Sequence, residues 1–253
     1  MKNGKYNMKA LILAAGQGKR LRPITDRIPK AMVSVNGRPL LYNTLDNLYD
    51  IGGITEIGIV VGYMADYIKS HVGDNYKGIP VKYFENKRYA ETNNVVSLYT
   101  AAEFCDDEML LLECDVFCKK EVLELLKNSD AECAILVSPF NKATMNGTVI
   151  ETEGDIAKSL VLGAWQGPEF DYSNAEKTVN MYKFSREFVE YKYMPLLKWY
   201  VENMSEQSYY EKVLGSLLYL RECDARAVSV PESMWCEIDD EADLKRAEEQ
   251  FGE

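Results

Sequence analysis

A glycine-rich loop directly follows the first apolar segment of the chain, and this pairing constrains the fold more than any other feature. Residues 10–14 predict a buried strand, and Gly16 and Gly18 come immediately after it. Glycine lets the backbone approach a ligand closely and turn its N–H groups inward. A strand that ends in such a loop is typical of α/β proteins that bind a phosphorylated ligand at the edge of a sheet.

The residues after this loop are strongly basic, although the chain as a whole is acidic. Residues 17–38 contain six Lys or Arg residues and one Asp, whereas the 253-residue chain has 29 basic and 40 acidic residues and a net charge of −11. The overall charge argues against nucleic-acid binding, because it repels phosphate backbones. The local positive charge favours one bound polyanion, most simply a nucleoside triphosphate. The alternative is a surface turn with a solvated basic run.

Two common nucleotide-binding loops do not match this segment. A Walker loop needs Ser or Thr after Gly-Lys, but Arg20 follows Lys19. The dinucleotide fingerprint needs a third glycine where this chain has Leu21. The sequence therefore argues against P-loop NTPases and against hydride-transfer enzymes.

Short apolar runs alternate with segments of helical periodicity, which predicts an α/β fold with a mixed, mostly parallel sheet. We expect a single domain over 1–253, with a core at 8–140 and 225–253 and a small α+β lid at 141–224. The predicted strands are 10–14, 56–62, 81–84, 109–112 and 133–138, with hairpin-like pieces at 147–151 and 156–162. The predicted helices include 38–49, 93–104, 185–203 and 239–251.

The composition limits the compartment and the metal chemistry. The longest apolar run near the start of the chain, 10–15, is far shorter than the roughly 18 residues of a membrane-spanning helix. Six cysteines without a C-x-x-C pair and a single histidine argue against a structural zinc site and a disulfide scaffold. We therefore expect a cytoplasmic protein that does not enter a membrane.

The basic loop has the pattern L-A-A-G-x-G-x-R-L-x-P-x-T from residue 13 onward, followed by Pro29-Lys30. It resembles the N-terminal signature of the nucleotidyltransferases that join an NTP to a small phosphorylated substrate and release pyrophosphate. The resemblance implies a Rossmann-like nucleotidyltransferase fold. It also implies that Lys19 and Arg20 hold the β- and γ-phosphates and that Lys30 contacts the reacting phosphates. The loop residues that it places around the nucleotide are Leu13, Ala14, Ala15, Gly16 and Gly18.

Two carboxylate motifs predict the divalent metal site that pyrophosphate release requires. Glu113 and Asp115 follow an apolar strand at a spacing of two; Asp115 matches a metal-ligand position of the family, and we assign Glu113 to the nucleotide site. Residues 235–244 resemble the family ending W/Y-x-E-I-D-x-x-x-D-L, which makes Asp239 the second ligand and lets Glu237 face the same ion. Mg²⁺ is the expected ion. The alternatives are a strand-end turn residue for Asp115 and a helix cap for Asp239.

The motif Asn93-Asn94-x-x-Ser97-Leu98 bears on the choice of nucleotide. It resembles the cytidylyltransferases that activate phosphocholine and related head groups, and the resemblance implies CTP as the co-substrate. Side chains of Asn93, Asn94 and Ser97 offer donors and acceptors that could read the edge of a base. Asn93 could instead cap the following helix.

Segments of the expected lid resemble the cytidylyltransferases of 2-aminoethylphosphonate. Aromatic rings there could stack on a quaternary ammonium, and carboxylates or amides could accept hydrogen bonds from a primary one. Lys177 is the candidate for the acceptor's phosphonate or phosphate group. The expected acceptor-binding residues are Lys177, Asn180, Tyr182, Tyr210 and Glu211.

Together these features predict transfer of CMP from CTP to a small aminoalkyl phosphonate or phosphate, with 2-aminoethylphosphonate favoured and phosphocholine next. The alternatives are a sugar-1-phosphate nucleotidyltransferase and a nucleotide-binding regulatory module without turnover. The resemblance also implies a transaminase or kinase domain, fused or separate, as a partner, and a homo-oligomer is a further expectation.

Overall fold

Ten strands form one mixed sheet in residues 8–252, the part of the chain that the structure, a computed structural model, describes. All strands are β1 Met8–Ala14, β2 Ser34–Val35, β3 Arg38–Pro39, β4 Ile54–Val61, β5 Asn75–Tyr76, β6 Ile79–Glu85, β7 Met109–Glu113, β8 Val116–Cys118, β9 Cys133–Pro139, β10 Val149–Glu153, β11 Ile156–Val161, β12 Ala175–Phe184, β13 Ala225–Ser229 and β14 Trp235–Glu237. The five predicted strands and the predicted hairpin are all present, with ends that differ by a few residues.

Helices cover the sheet. They are α1 Leu40–Ile51, α2 Ala65–Val72, α3 Asn94–Thr100, α4 Lys120–Lys127, α5 Arg186–Phe188, α6 Met194–Asn203, α7 Glu211–Leu220 and α8 Glu241–Gln250. A π-helical turn, Val189–Tyr193, joins α5 to α6, so the predicted helix at 185–203 is confirmed with one irregular turn. Short 3₁₀ turns lie at Lys19–Leu21, Ile24–Asp26, Lys30–Met32, Ala102–Phe104, Gly163–Trp165 and Glu232–Met234.

The sheet is mixed, as predicted, with the order β10-β11-β13-β9-β12-β7-β1-β4-β6-β5. It is not mostly parallel, since four of its strand pairings are parallel and six are antiparallel. The strands β6, β4, β1 and β7 run parallel to one another, and β13 runs parallel to β9. The long strand β12 lies antiparallel between β7 and β9. The strands of the expected lid, β10 to β12, are therefore hydrogen-bonded into the same sheet as the core.

Alternate residues of β1 enter two different hydrophobic layers, because side chains of a strand point to opposite faces. Ala10 and Ile12 pack in one layer with α1, α2 and α4. Leu11 and Leu13 pack in the other layer with α3, α6 and α7. A strand buried on both faces explains the unbroken apolar run that precedes the glycine loop.

The alternative interpretation of Asp239 made it the N-cap of the last helix. The helix begins one residue too late for that role. Asp240, and not Asp239, is the N-cap of α8, and its Oδ1 accepts a hydrogen bond from the backbone N–H of Asp243 at 2.9 Å. The side chain of Asp243 in turn accepts from the backbone N–H of Asp240, which completes a capping box. The cap interpretation of Asp239 was therefore wrong, and the carboxylate of Asp239 does not serve the helix.

Two further features of the fold concern membrane-spanning helices and disulfide bonds. No helix between residues 8 and 252 has both the length and the apolar character that a membrane crossing needs. All six cysteine thiols are free. A cytoplasmic location stays a prediction.

Candidate active site

The carboxyl ends of β1 and β7 meet at one edge of the sheet, since the two strands are parallel neighbours. The glycine loop leaves β1 there, and Asp115 follows β7. The short strand β14 pairs antiparallel with β8, and its register sets Glu237 opposite Val116. These connections bring Asp239 to the same edge although it is 124 positions away from Asp115 along the sequence.

The glycine loop is shaped around the stem of Lys30. Gly18 has φ +60°, and a Cβ atom at that position would lie 2.9 Å from the Cβ of Lys30 and 3.0 Å from Cγ2 of Thr25. The hydroxyl of Thr25 also donates a hydrogen bond to the carbonyl of Gly18 at 2.8 Å. Both the conformation and the close approach therefore require glycine at position 18. At Gly16 a Cβ would meet nothing within 4 Å, so residues 8–252 leave room for a side chain there.

Lys30 joins the two candidate metal ligands. Its Nζ lies 2.7 Å from Oδ2 of Asp115 and 2.8 Å from Oδ1 of Asp239. Arg20 contacts the same oxygen of Asp239 at 2.8 Å, whereas the other carboxylate oxygen of Asp115, Oδ1, is buried without a hydrogen-bond partner in the described residues. The basic run and both carboxylate motifs thus form one cluster.

The pKa values in this cluster reflect burial and close opposite charges. Burial alone would lower the pKa of Lys30, but the carboxylates of Asp115 and Asp239 outweigh it and raise that pKa. Burial alone would raise the pKa of Asp239, but Lys30 and Arg20 outweigh it and lower that pKa. Both groups are therefore charged near neutral pH.

The donor set suits Mg²⁺ held jointly with a nucleotide. Mg²⁺ usually binds one or two carboxylates together with substrate phosphates, and keeps several waters. Asp115 and Asp239 supply two carboxylates, and the buried Oδ1 of Asp115 is an acceptor that the protein does not satisfy. No group of three or more His, Cys, Asp or Glu side chains within residues 8–252 could hold a metal ion alone. The residues fit an ion whose remaining ligands come from a triphosphate.

One cavity at this edge holds the phosphate-binding candidates. It is lined by Leu13, Gly16, Gln17, Gly18, Lys19, Arg20, Lys30, Glu113, Cys114, Asp115 and Asp239. A second cavity shares Leu13, Gly16 and Glu113 with it and continues to Ala15, Tyr89, Thr92, Asn93, Asn94 and Ser97. Ala14 lines neither cavity and packs in the core layer of α1 and α2. The two cavities thus share one wall, and the first is lined by basic side chains while the second is lined by amides.

The three polar residues predicted to read a base all line the second cavity, but the protein already uses their side chains. Asn93 caps α3 by accepting from the backbone N–H of Asn94 at 2.8 Å, as its alternative interpretation required. Asn94 accepts from the backbone N–H of Tyr210 at 3.0 Å. Ser97 accepts from Nδ2 of Asn86 at 3.0 Å. These contacts hold the cavity wall in one arrangement.

A third cavity adjoins the phosphate end through Arg20 and Asp239. It is lined by Arg20, Ala143, Thr144, Met145, Asn146, Lys177, Glu232, Trp235, Cys236, Glu237, Asp239, Asp240, Asp243, Arg246 and Gln250. Its central ion pair joins Nζ of Lys177 to Oε2 of Glu237 at 3.1 Å, and the side chain of Lys177 is only 3% exposed. Burial raises the pKa of Glu237, and the neighbouring Lys177 opposes that rise.

Asn180 lies at an irregular point of β12 and contacts this ion pair. The register of β12 against β9 shifts between Thr178 and Tyr182, and Asn180 has φ +58°. Its Nδ2 lies 3.4 Å from Oε1 of Glu237 and donates a hydrogen bond to it. The irregularity thus turns the amide of Asn180 toward the carboxylate of Glu237. A regular strand would not place the amide there.

Four of the five predicted acceptor residues, Asn180, Tyr182, Tyr210 and Glu211, do not line the cavities described above. Tyr182 and Tyr210 are fully buried in the layer of α3, α6 and α7, with their rings edge to face at 6.0 Å. Glu211 is 5% exposed and accepts a hydrogen bond from Nδ2 of Asn94 at 3.3 Å. Burial raises the pKa of Glu211 to about 7, and burial also raises the pKa of Glu113 well above its usual range.

Several lining residues carry no sequence signal of their own. Thr144 and Asn146 lie in the loop between β9 and β10, and Glu232 lies in the 3₁₀ turn just before the 235–244 motif; tertiary structure brings all three to the cavity of Lys177. Asn86 is 3% exposed and directs Ser97 and Thr92. The sequence offers one signal for Asn86, which is its position as a polar residue directly after the strand β6.

Comparison with known proteins agrees with this geometry. A family model described as nucleotidyl transferase matches residues 9–161. The chain belongs to the nucleotidyl transferase family. Its glycine loop and Asp115 both lie within the matched region.

Two curated relatives extend the match over nearly the whole chain. CMP-5'-(3-aminopropyl)phosphonate synthase of Streptomyces rubellomurinus is 31% identical over 246 residues, which are 96% of this chain and 39% of the relative. CTP:phosphoglutamine cytidylyltransferase of Campylobacter jejuni is 29% identical over 94% of this chain and 98% of its own. The chain spans about two-fifths of the length of the first relative.

A solved structure supports the fold. The CTP:phosphocholine cytidylyltransferase of Streptococcus pneumoniae superimposes with a TM-score of 0.74 at 23% sequence identity, covering 96% of this chain and 98% of that one. The predicted α/β nucleotidyltransferase fold is confirmed.

Proposed function

We propose that this member of the nucleotidyl transferase family is a CTP-dependent cytidylyltransferase that attaches CMP to a small aminoalkyl phosphonate or phosphate, with 2-aminoethylphosphonate favoured. The observation that carries the proposal is that the cavity lined by the buried Lys177 shares Arg20 and Asp239 with the cavity that holds the Lys30 cluster. A cation for an acceptor's anionic group and a cluster for a metal-bound triphosphate thus adjoin in one cleft.

The reaction needs charge neutralisation and alignment more than proton transfer. A phosphonate or phosphate is largely ionised near neutral pH, so one of its oxygens can attack the α-phosphorus of CTP without a base. The bond from the α-phosphorus to its bridging oxygen breaks, and pyrophosphate leaves. Lys19, Arg20 and Lys30 would hold the phosphates, and Lys177 would direct the acceptor for in-line attack. Mg²⁺, when bound at Asp115 and Asp239, would offset the charge of the triphosphate.

The walls of the acceptor cavity favour a primary ammonium over a quaternary one. The cavity lined by Lys177 contains five carboxylates and three cationic side chains, and Trp235 is its one aromatic side chain among the described residues. Quaternary ammonium groups are usually bound by several aromatic faces, and Tyr182 and Tyr210 are fully buried elsewhere. Carboxylates and amides instead suit an ammonium that donates hydrogen bonds. The similarity to an aminopropylphosphonate synthase supports the same class of acceptor.

Pyrophosphate release tests the proposal directly. The protein with Mg²⁺ and CTP would be offered 2-aminoethylphosphonate, phosphocholine, phosphoethanolamine or glucose 1-phosphate, with UTP and ATP replacing CTP as controls. We expect turnover with CTP and the two primary amines, and most with 2-aminoethylphosphonate. A preference for glucose 1-phosphate would instead indicate a sugar nucleotidyltransferase, and absence of turnover with every acceptor would leave only nucleotide binding.

A matched pair of variants tests the role of Lys177. Lys183 lies on the same strand, is also buried, and pairs with Glu108 at 2.9 Å at the opposite end of β12. Lys177→Met is expected to raise the KM for the acceptor at least about tenfold, because an anion loses its buried cation. Lys183→Met is expected to lower stability and to leave that KM within about threefold. Equal effects on KM would contradict the proposed role.

A further inference from the structure

Lys30 occupies the space between the two carboxylates that the proposed function assigns to the metal. Its Nζ contacts Oδ2 of Asp115 at 2.7 Å and Oδ1 of Asp239 at 2.8 Å, and its side chain is 11% exposed. A divalent cation that binds both carboxylates would lie close to this ammonium, and like charges so close repel strongly in a partly buried site. Lys30 and a metal ion therefore compete for the same two carboxylates.

The protein needs a cation at this position even without a metal. Asp115 and Asp239 have 18% and 21% exposed side chains, and a cluster of partly buried carboxylates is costly unless an opposite charge pairs with it. Arg20 contacts Asp239 but not Asp115, and the side chain of Arg20 is 63% exposed. Lys30 is thus the one cation in the described residues that contacts both carboxylates.

We propose that Lys30 is the resident cation of the metal-free enzyme and that it leaves Asp115 and Asp239 only when the metal and the nucleotide phosphates bind together. The inference rests on the proposed function. The metal then pairs with the two carboxylates, and the phosphates pair with the displaced ammonium, so every charge keeps a partner. Metal and CTP consequently bind cooperatively, and Lys30 carries the coupling between them.

The local structure allows this exchange with little backbone movement. The Cβ of Lys30 packs against Gly18, which fixes the first part of the lysine side chain. A Cβ atom at position 18 would occupy the same space. Beyond its own Cβ the side chain of Lys30 has several rotatable bonds, so the ammonium can move while the backbone stays. Lys30 and the glycine loop line the same cavity, so the ammonium can reach a nucleotide bound there without crossing the protein.

Binding of Mn²⁺, followed by electron paramagnetic resonance, tests the coupling without an acceptor and without turnover. For the unsubstituted protein we expect Mn²⁺ to bind at least about tenfold more tightly with CTP than without it. For Lys30→Met we expect Mn²⁺ affinity without CTP to increase at least about tenfold, and the effect of CTP to shrink by a similar factor. Adding Asp115→Asn to Lys30→Met should abolish the gain, which locates the ion.

Lys19→Met is the matched control. It removes the same charge from the same cavity, but Lys19 contacts neither Asp115 nor Asp239. We expect its Mn²⁺ affinity without CTP to change by less than about threefold. A gain equal to that of Lys30→Met would show a general charge effect and overturn the proposal. So would unchanged affinity in Lys30→Met, or equal affinity of the unsubstituted protein with and without CTP.

A measurement on the unsubstituted protein covers the case in which Lys30→Met does not fold. With ¹⁵N-labelled lysine side chains, the NMR signal of Lys30, assigned by comparison with Lys30→Arg, should stay in place when Mg²⁺ alone is added. It should move when Mg²⁺ and CTP are added together. Movement with Mg²⁺ alone would overturn the proposal. Failure of the proposed acceptor reaction would show separately, as absence of pyrophosphate release. The binding results could still be interpreted in that case.

Discussion

Replacing Glu211 by Gln should make the free energy of unfolding less dependent on pH. Burial raises the pKa of the Glu211 carboxyl to about 7. In the unfolded chain the same carboxyl titrates near pH 4.3. Because the folded pKa is the higher one, ionisation disfavours the folded state, and stability is lost progressively as the pH rises from about 4.3 to about 7. Gln cannot ionise, so the variant should escape this loss.

The size of the effect follows from the difference between the two pKa values. Each unit corresponds to about 1.4 kcal/mol, so the stability of Glu211→Gln relative to the unsubstituted protein should rise by about 2–3 kcal/mol between pH 5 and pH 8. The amide oxygen of Gln can still accept the hydrogen bond from Nδ2 of Asn94, which measures 3.3 Å to the carboxylate. The substitution therefore changes the charge and little of the packing.

Urea unfolding at pH 5, 6, 7 and 8, without metal or nucleotide, measures this difference. Glu206→Gln is the control, since Glu206 is exposed and a hydrogen bond from Arg88 lowers the pKa of its carboxyl. That pair stabilises the fold above the unfolded pKa and loses the effect only on acidification below it, so the stability of the control relative to the unsubstituted protein should stay nearly constant between pH 5 and pH 8. Parallel curves of stability against pH for Glu211→Gln and the unsubstituted protein would refute the reasoning.

Three further substitutions separate stability from activity. Asp240→Ala removes the N-cap of α8 and should lower the free energy of unfolding by about 1 kcal/mol in a urea titration; no loss would contradict the capping role. Gly58→Ala would set a Cβ 2.8 Å from Cδ1 of Leu11 and 2.9 Å from Cε1 of Phe104, so a loss of about 1–3 kcal/mol is expected in the same titration, and a neutral result would mean that both side chains move freely. Asp239→Asn should reduce pyrophosphate release at least about 100-fold while the protein stays folded by circular dichroism; near-normal release would remove Asp239 from the proposed metal site.

The sheet and the glycine loop could be predicted because their signals are local. An apolar run buried on both faces predicts a central strand wherever it occurs, and β1 and β7 were found in this way. Their parallel arrangement then sets the loop and Asp115 at one edge of the sheet, since the carboxyl ends of parallel strands point the same way. The motif around Asp239 predicts a metal ligand, which stays a prediction; the structure shows that Asp239 contacts Lys30 and that its neighbour Asp240 caps the helix.

The proposed acceptor side was harder to predict because the placement of its residues depends on tertiary contacts. Lys177 is buried where β12 lies between β9 and β10, and nothing in its own segment distinguishes it from a solvated lysine at the edge of a sheet. The positive φ of Asn180 comes from an irregular register against a distant strand. Tyr210 carries a hydroxyl that suits a binding site, yet its ring is buried by packing that the sequence does not encode locally.

The shared strand β12 has a consequence for the origin of new acceptor preferences. Its backbone is hydrogen-bonded to β7 on one side and to β9 on the other, so the part of the fold proposed to contact the acceptor cannot rotate away from the part proposed to contact the nucleotide. New specificity in such a frame has to be introduced in the connections that leave the sheet, chiefly residues 140–148 and 162–174. Exchange of these two loops between relatives, with every strand retained, is therefore the natural route for engineering this chain toward other acceptors.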